Sequence, residues 1–340
     1  MKKRSLRILV PMHETLVPPD STEGLTEKEI QPWKMEFDIL RTLEGMDHQV
    51  RPVGIYEHLE VLDGAIEEFK PHVIFNIAEE FHGNATYSPH VASYFELKKV
   101  PYTGCNPHGM MVANNKALSK KILAYHGIRV PEFMVIPFKA VVRRPTSLAF
   151  PLFVKSLTDD GSVGISQASI VTNDEQLQQR VDFVKRLTGK PVIAEQYIEG
   201  REVYVGVIGN RKLTSFTPWE LILSNLPEGA PNIATGRVKW NYGYQASMGV
   251  KTQPAALTAK EARALRRLCH SIYHHLCLSG YARLDFRVDP QGNNYLLEAN
   301  PNPNLSFGED FAESAEHSGL SYKALLQKIL NLALSYRPWS

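Results

Sequence analysis

The sequence predicts an α/β protein whose C-terminal part is α+β. Three observations carry that reading. Over residues 1–110 short apolar runs alternate with segments of helical spacing, the pattern of a parallel sheet with crossover helices. From Phe150 the texture changes to strands separated by glycine turns, as in antiparallel ribbons. A long capped helix, a hairpin and an amphipathic helix then close the chain.

"LRILVPM" (6–12) reads as a first, buried strand. "IQPWKMEFDILRTLEGM" (30–46) carries Trp33, Phe37, Leu40 and Leu43 at helical spacing. "HQVRPVGI" is a second strand, "LEVLDGAIEEFK" a helix, "PHVIFNIA" a third strand, "SPHVASYFELKK" a helix and "VPYTG" a short strand. "NNKALSKKILAYHG" (114–127) is a helix with Asn114 as cap and Gly127 as stop. A helix is expected near 173–188. Another runs over 258–280, with a Thr258/Glu261 capping box and Gly280 at its end. "SYKALLQKILNLALSY" (321–336) is the last. The division expected is 1–110, an N-terminal α/β domain; 111–190, a small central unit; and 191–340, a mixed unit carrying the hairpin.

Composition narrows the function. A net charge of +2 lacks the basic excess of a nucleic-acid binder. No apolar run approaches the roughly 18 residues of a membrane span, and "ILVPM" is too short for a signal-peptide core. The 3 cysteines, Cys105, Cys269 and Cys277, have no metal-type spacing and fit a reducing, cytoplasmic compartment. No nucleophile motif of the GxSxG kind occurs. His270 and His274 share a helix face, but no Glu or Cys completes a ligand set, so a solvated or half-buried face is the better account.

The chemistry-bearing stretch is "RLDFRVDPQGNNYLLEANPNPN" (283–304). With the turn on "DPQGNN", Asp285 faces Glu298 and Arg283 faces Asn300, all four on one face of the ribbon. Leu284, Phe286, Val288, Tyr295, Leu297 and Ala299 fall on the other, core-facing side. Opposed carboxylates destabilise a sheet; a divalent cation resolves the repulsion, since magnesium takes carboxylate and phosphate oxygens. The adjacent arginine suits an anion. A solvated face with charges offset by a register shift is the competing account of the hairpin alone. Upstream, Lys155 precedes a Gly/Ser turn that can aim backbone N–H groups at phosphate, although no Walker loop occurs in the chain. "IAEQYIEGRE" offers Glu195 and Glu202 around a strand break, a layout in which backbone reads a base and a carboxylate binds ribose.

"NNKALSKKILAYHGIRVP", "FPLFVKSLTDDGSVGIS", "AEQYIEGRE", "GYARLDFRVD" and "YLLEANPNPN", in this order, resemble the ATP-grasp superfamily, and more closely the D-alanine–D-alanine ligases and their relatives. The resemblance implies a three-subdomain ATP-grasp fold with an N-terminal parallel α/β domain. It implies ATP and magnesium, two ions, with manganese as the alternative metal. Residue by residue, it implies that Lys116 and Lys155 contact ATP phosphates, and that Gly161, Ser162 and Val163 form the loop over them. Glu195, Tyr197 and Ile198 would line the adenine pocket and Glu202 would hold the ribose. Asp285, Glu298 and Asn300 would bind metal. Arg283 would stabilise the tetrahedral intermediate, Asn304 would supply an oxyanion N–H, and Lys239 would sit on a mobile loop closing the site, within a lid over 224–251. The implied reaction joins a carboxylate, activated as an acylphosphate, to an amine. Partners are then small molecules, with a homodimer by family analogy.

The departures fall where substrate is chosen. "VPMHETLVPPDSTEG" and "NIAEEFHGNATYSP" replace glycine-rich stretches of the D-alanine ligases, and "NPNPN" replaces Asn-x-x-Pro-Gly. Glu309 falls near the serine that binds the acceptor carboxylate. The expectation is a different substrate pair, with His13, Glu14, Glu79, Glu80 and His82 as further candidates because they follow strands of an α/β sheet. D-alanyl-D-alanine synthesis itself and an ATP-grasp small-molecule kinase are the alternatives.

Overall fold

A computed structural model describes residues 5–159, 163–225, 233 and 247–338. The first sheet is parallel, with β1 (Arg7–His13) between β2 (Gln49–Ile55) and β3 (Val73–Ile74). Ile74 makes a further parallel bridge to Tyr102. Helices α1 (Glu27–Ile30), α2 (Lys34–Glu44), α3 (Glu60–Phe69) and α4 (Ser88–Leu97) lie in the connections. The stripe that α2 buries is Glu36, Ile39, Leu40 and Leu43. Trp33 lies in the preceding 3-10 turn and Phe37 is half-buried, while a carboxylate, Glu36, lies on the inward face.

Helices α5 (Pro107–Asn114) and α6 (Lys116–Tyr125) follow. Asn115, not Asn114, caps α6, its side chain accepting from Leu118 N. The second sheet runs β4 (Phe133–Ile136), β7 (Val192–Gln196), β5 (Leu152–Ser156) and β6 (Ile170–Val171), covered by α7 (Asp174–Thr188). The third is antiparallel. It contains β8 (Arg201–Ile208), β9 (Thr214–Ser215), β10 (Trp219–Leu223), β11 (Val250–Pro254), β12 (Tyr281–Val288) and β13 (Asn294–Pro301), in the order β11-β10-β8-β12-β13, with β9 on β8. Helix α8 (Ala259–His275) packs beneath it, and α9 (Asp310–His317) and α10 (Tyr322–Ser335) close the chain. Among the described residues no helix is long and apolar enough to cross a membrane.

Two hydrophobic clusters weld the hairpin to the first sheet. Leu284, Phe286, Leu296 and Ala299 join Leu9, Ile74 and Phe95 on one side; Tyr281, Phe311 and Leu326 join Ile8, Val10 and Phe75 on the other. Helix α8 keeps its expected capping box but ends at His275, short of Gly280. Gly280 (φ +66°) instead lies where a Cβ would sit 2.2 Å from the Gly104 carbonyl oxygen. Gly280→Ala should therefore lower the unfolding free energy by about 2 kcal/mol or more; a urea titration checks it.

Candidate active site

The hairpin register agrees with the expectation: Asp285 lies opposite Glu298 and Arg283 opposite Asn300. A bulge then shifts the pairing, so that Phe286 faces Leu296 and Arg287 faces Tyr295. This corrects the expected core face. Leu296 is buried in the core, while Leu297 lies with Glu298 in the wall of a cleft. Two adjacent residues of a bulged strand opposing one partner is what allows that. On the other edge of β12, β8 sets Glu202 opposite Arg287, Tyr204 opposite Asp285 and Gly206 opposite Arg283.

Asp285 is the hub of this face. Arg283 donates to it from Nε (2.8 Å) and Nη2 (3.0 Å), and Asn300 Nδ2 donates at 2.9 Å. Arg283 also lies over the Tyr204 ring, 4.9 Å from its centroid. Glu202 accepts from Arg287 (2.9 Å) and from the Tyr204 hydroxyl (2.8 Å). Charge-assisted bonds of this kind hold the carboxylates in set orientations.

Three lysines face them from α6 and β5. The apolar stripe of α6 buries Lys116 and Lys120 along with Ala117, Ser119 and Leu123, and β5 supplies Lys155. Lys155 Nζ lies 2.9 Å from Glu195 and 3.8 Å from Glu298. Lys116 lies 3.7 Å from Glu298 and donates to the Asp159 carbonyl at 2.7 Å. Lys120, 1% exposed, lies 3.3 Å from Glu195 and donates to the Leu297 carbonyl at the bulge. Burial alone would raise the Glu195 carboxyl, but the charges of Lys120 and Lys155 overcome it and hold the group below the ordinary carboxylate range. Burial lowers Lys120 to about 8, against the opposing pull of Glu195.

A lysine whose folded pKa is depressed binds fewer protons than in the unfolded chain between about 8 and its ordinary value, so its contribution to stability rises with pH across that window. Below about 8 the cost of burying the charge is fully present. Denaturation midpoints of wild type and Lys120→Arg should diverge from pH 8 upward, the wild type gaining, because arginine stays charged.

Between the second and third sheets lies an open cleft lined by Phe153, Lys155, Ile165, Glu195, Tyr197, Ile198, Glu202, Ile233, Asp285, Arg287, Leu297 and Glu298 among others. Seven of the predicted residues thus meet there: Lys155, Glu195, Tyr197, Ile198, Glu202, Asp285 and Glu298. The Glu195 side chain, however, is spent on two lysines. Val163 is exposed next to the lining loop. Gly161, Ser162, Lys239 and most of the lid segment lie outside the described residues.

The substrate candidates are more scattered. His13 ends β1 with Nε2 3.4 Å from Glu80, edge-on to Tyr56. His82 pairs instead with Glu57 (3.1 Å) and stacks on Tyr56. Glu14 and Glu79 are exposed. Glu36 is 2% exposed, and burial pushes its carboxyl up to about 7, with Glu79 adding to the rise. Glu309 stands just before α9, within electrostatic reach of Asp310, Lys34 and Arg283. Asn304 accepts from Ser306 N (2.7 Å). The left-handed residue of "NPNPN" is Asn302 (φ +53°), not Asn304, and its side chain accepts from Cys105 N at 2.7 Å.

Lys120, Tyr204 and Arg287 are the polar residues the sequence reading passed over. Arg287 was within reach, since strand alternation puts 283, 285 and 287 on one face. The buried face of α6 gave the signal for Lys120, which stands four residues after Lys116.

The cleft has cations at one end and an apolar slot at the other, which fits a nucleotide. Among the described residues no three His, Cys, Asp or Glu side chains converge as a metal site. The oxygen set here is two carboxylates and an amide, the hard donors a magnesium ion takes together with phosphate.

A profile of the D-ala D-ala ligase C-terminus family matches residues 122–331. An uncharacterised protein, y4sG, of Sinorhizobium fredii is 31% identical over 319 residues, 89% of each chain. The D-alanine–D-alanine ligase of Pelotomaculum thermopropionicum is 27% identical over 263 residues, 74% of this chain and 78% of that one. In fold, the crystal structure of the D-alanine–D-alanine ligase of Bacillus anthracis complexed with ATP superimposes with a TM-score of 0.76 over 98% of this chain and 99% of its own, at 21% identity. The chain therefore belongs to the D-alanine–D-alanine ligase family, as an ATP-dependent carboxylate–amine ligase of the ATP-grasp fold.

Proposed function

We propose that the chain joins a small-molecule carboxylate to an amine other than the alanine pair. The observation that carries the reaction is the single face on which Arg283, Asp285, Glu298 and Asn300 meet Lys116 and Lys155. Lys116 and Lys155 hold the ATP phosphates. Glu202 binds the ribose, and Tyr197, Ile198 and Leu297 enclose the base. Asp285, Glu298 and the Asn300 amide oxygen hold magnesium, two ions in this reading, which neutralise phosphoryl charge when bound. The substrate carboxylate attacks the γ-phosphorus, ADP leaves, and an acylphosphate forms. The amine then attacks the acyl carbon, phosphate leaves, and the amine's proton is lost. Arg283 lies where negative charge grows on the acyl oxygen.

The substrate choice rests on the acidic residues at the far end. Glu309 and Asp310 near Arg283, and exposed Glu79 beyond β3, favour a cationic amine over a second carboxylate. The test is phosphate release across a panel of carboxylates and amines, the D-alanine pair included, with mass detection of products. Phosphate and amide should appear together, and only with both substrates present. A phosphorylated product without free phosphate would make the protein a kinase; activity with the D-alanine pair alone would remove the substrate proposal.

A further inference from the structure

Tyr204 is buried at the middle of β8, and nothing in the reaction above uses it. It nevertheless touches both ends of the polar face. Its hydroxyl donates to Glu202 Oε1 at 2.8 Å, the other oxygen of Glu202 accepting from Arg287. Its ring lies 4.9 Å from the Arg283 guanidinium carbon, and Arg283 grips Asp285 with two donors. Asp285 is also the cross-strand partner of Tyr204. The contacts thus run unbroken as Arg287–Glu202–Tyr204–Arg283–Asp285–Asn300, from the sugar end of the cleft to its reacting end. Trp219 and Leu221 of β10 pack against Tyr204 and hold its ring in place. Burial, then the nearby Glu202 and Asp285 carboxylates, raise the hydroxyl well above its ordinary pKa, so it remains a donor.

We propose that Tyr204 is a positioning residue that couples the seat of the nucleotide sugar to Arg283. This rests on the reading of Glu202 as the ribose ligand and Arg283 as the group at the reacting acyl centre. The two tasks fall to different atoms. The hydroxyl fixes one oxygen of Glu202 and so directs the remaining lone pairs at the sugar hydroxyls. The ring face carries the guanidinium by cation–π contact, limiting its swing when a ligand competes for Asp285.

Two variants separate these tasks. Tyr204→Phe keeps the ring and removes the donor; Tyr204→Leu removes both. Binding of ATP, 2′-deoxy-ATP and 3′-deoxy-ATP is measured by calorimetry with magnesium present. Phosphate release is followed with the most active carboxylate–amine pair of the panel. Tyr204→Phe should weaken ATP about tenfold, the loss of roughly one charge-assisted hydrogen bond. It should bring ATP and the deoxy analogues closer together in affinity, with kcat within about twofold of wild type. Tyr204→Leu should show the same binding change and, in addition, a kcat lower by about tenfold or more. A Tyr204→Phe variant that discriminates ATP from the deoxy analogues as wild type does would overturn the proposal. So would a Tyr204→Leu variant whose kcat matches that of Tyr204→Phe. Wild type that binds ATP and both deoxy analogues equally removes the ribose reading itself, and the coupling with it.

Discussion

Asp285→Asn is expected to cut ATP-dependent phosphate release about 100-fold to 1,000-fold, the scale of losing a preorganised electrostatic group. Asp285 faces Glu298 across the hairpin and accepts from Arg283 through both oxygens. An amide there accepts at one atom only. One change therefore removes the charged ligand proposed for the metal and one of the two bonds that orient Arg283. The magnesium concentration for half-activation should rise together with the fall in kcat, while ATP binding measured without metal should change little. A variant with full turnover at wild-type magnesium dependence would remove Asp285 from the metal site and the mechanism with it.

Glu195→Leu is expected to have the largest effect on stability. Glu195 lies between Lys155 at 2.9 Å and Lys120 at 3.3 Å, all three buried. Removing the anion leaves two ammonium groups in a poorly solvated site, and breaking a buried ion pair from one side costs about 3–5 kcal/mol. Lys120→Met in the same chain should restore about half of the loss, because the remaining cation, Lys155, keeps Glu298 at 3.8 Å. Urea unfolding of the two single variants and the double variant measures the coupling. Additive effects would mean that Glu195 and Lys120 do not act as a pair.

Much of this site was legible without coordinates, and particular residues explain where legibility stopped. The opposition of Asp285 to Glu298 and of Arg283 to Asn300 was expected from a turn centred on "DPQGNN", yet the pairs next to the turn are one residue out of that register, and a bulge restores it at Asp285. The bulge itself was not expected. It inserts one residue into one strand, and alternation carries no mark of where. As a result Leu296 took the core place expected of Leu297. Helix α8 began where its capping box said, since the cap is a local bond between Thr258 and Glu261. It ended early because Gly280 answers to the Gly104 carbonyl, 176 positions away in the chain, rather than to the helix.

The sequence by itself determined the local chemistry: which carboxylates face each other on the hairpin, where a capping box starts α8, and which motifs stand in the order of an ATP-grasp ligase. Those features depend on neighbours a few positions apart, where backbone periodicity sets geometry. Only the tertiary structure decided the uses of the charges. Lys120 reaches Glu195 from a separate helix, Arg287 holds Glu202 from the next strand, and Tyr204 joins Glu202 to Arg283. Such partners are chosen by how sheets and helices pack. A buried charge must find a counter-charge wherever the fold brings one within about 4 Å, and sequence distance says nothing about that.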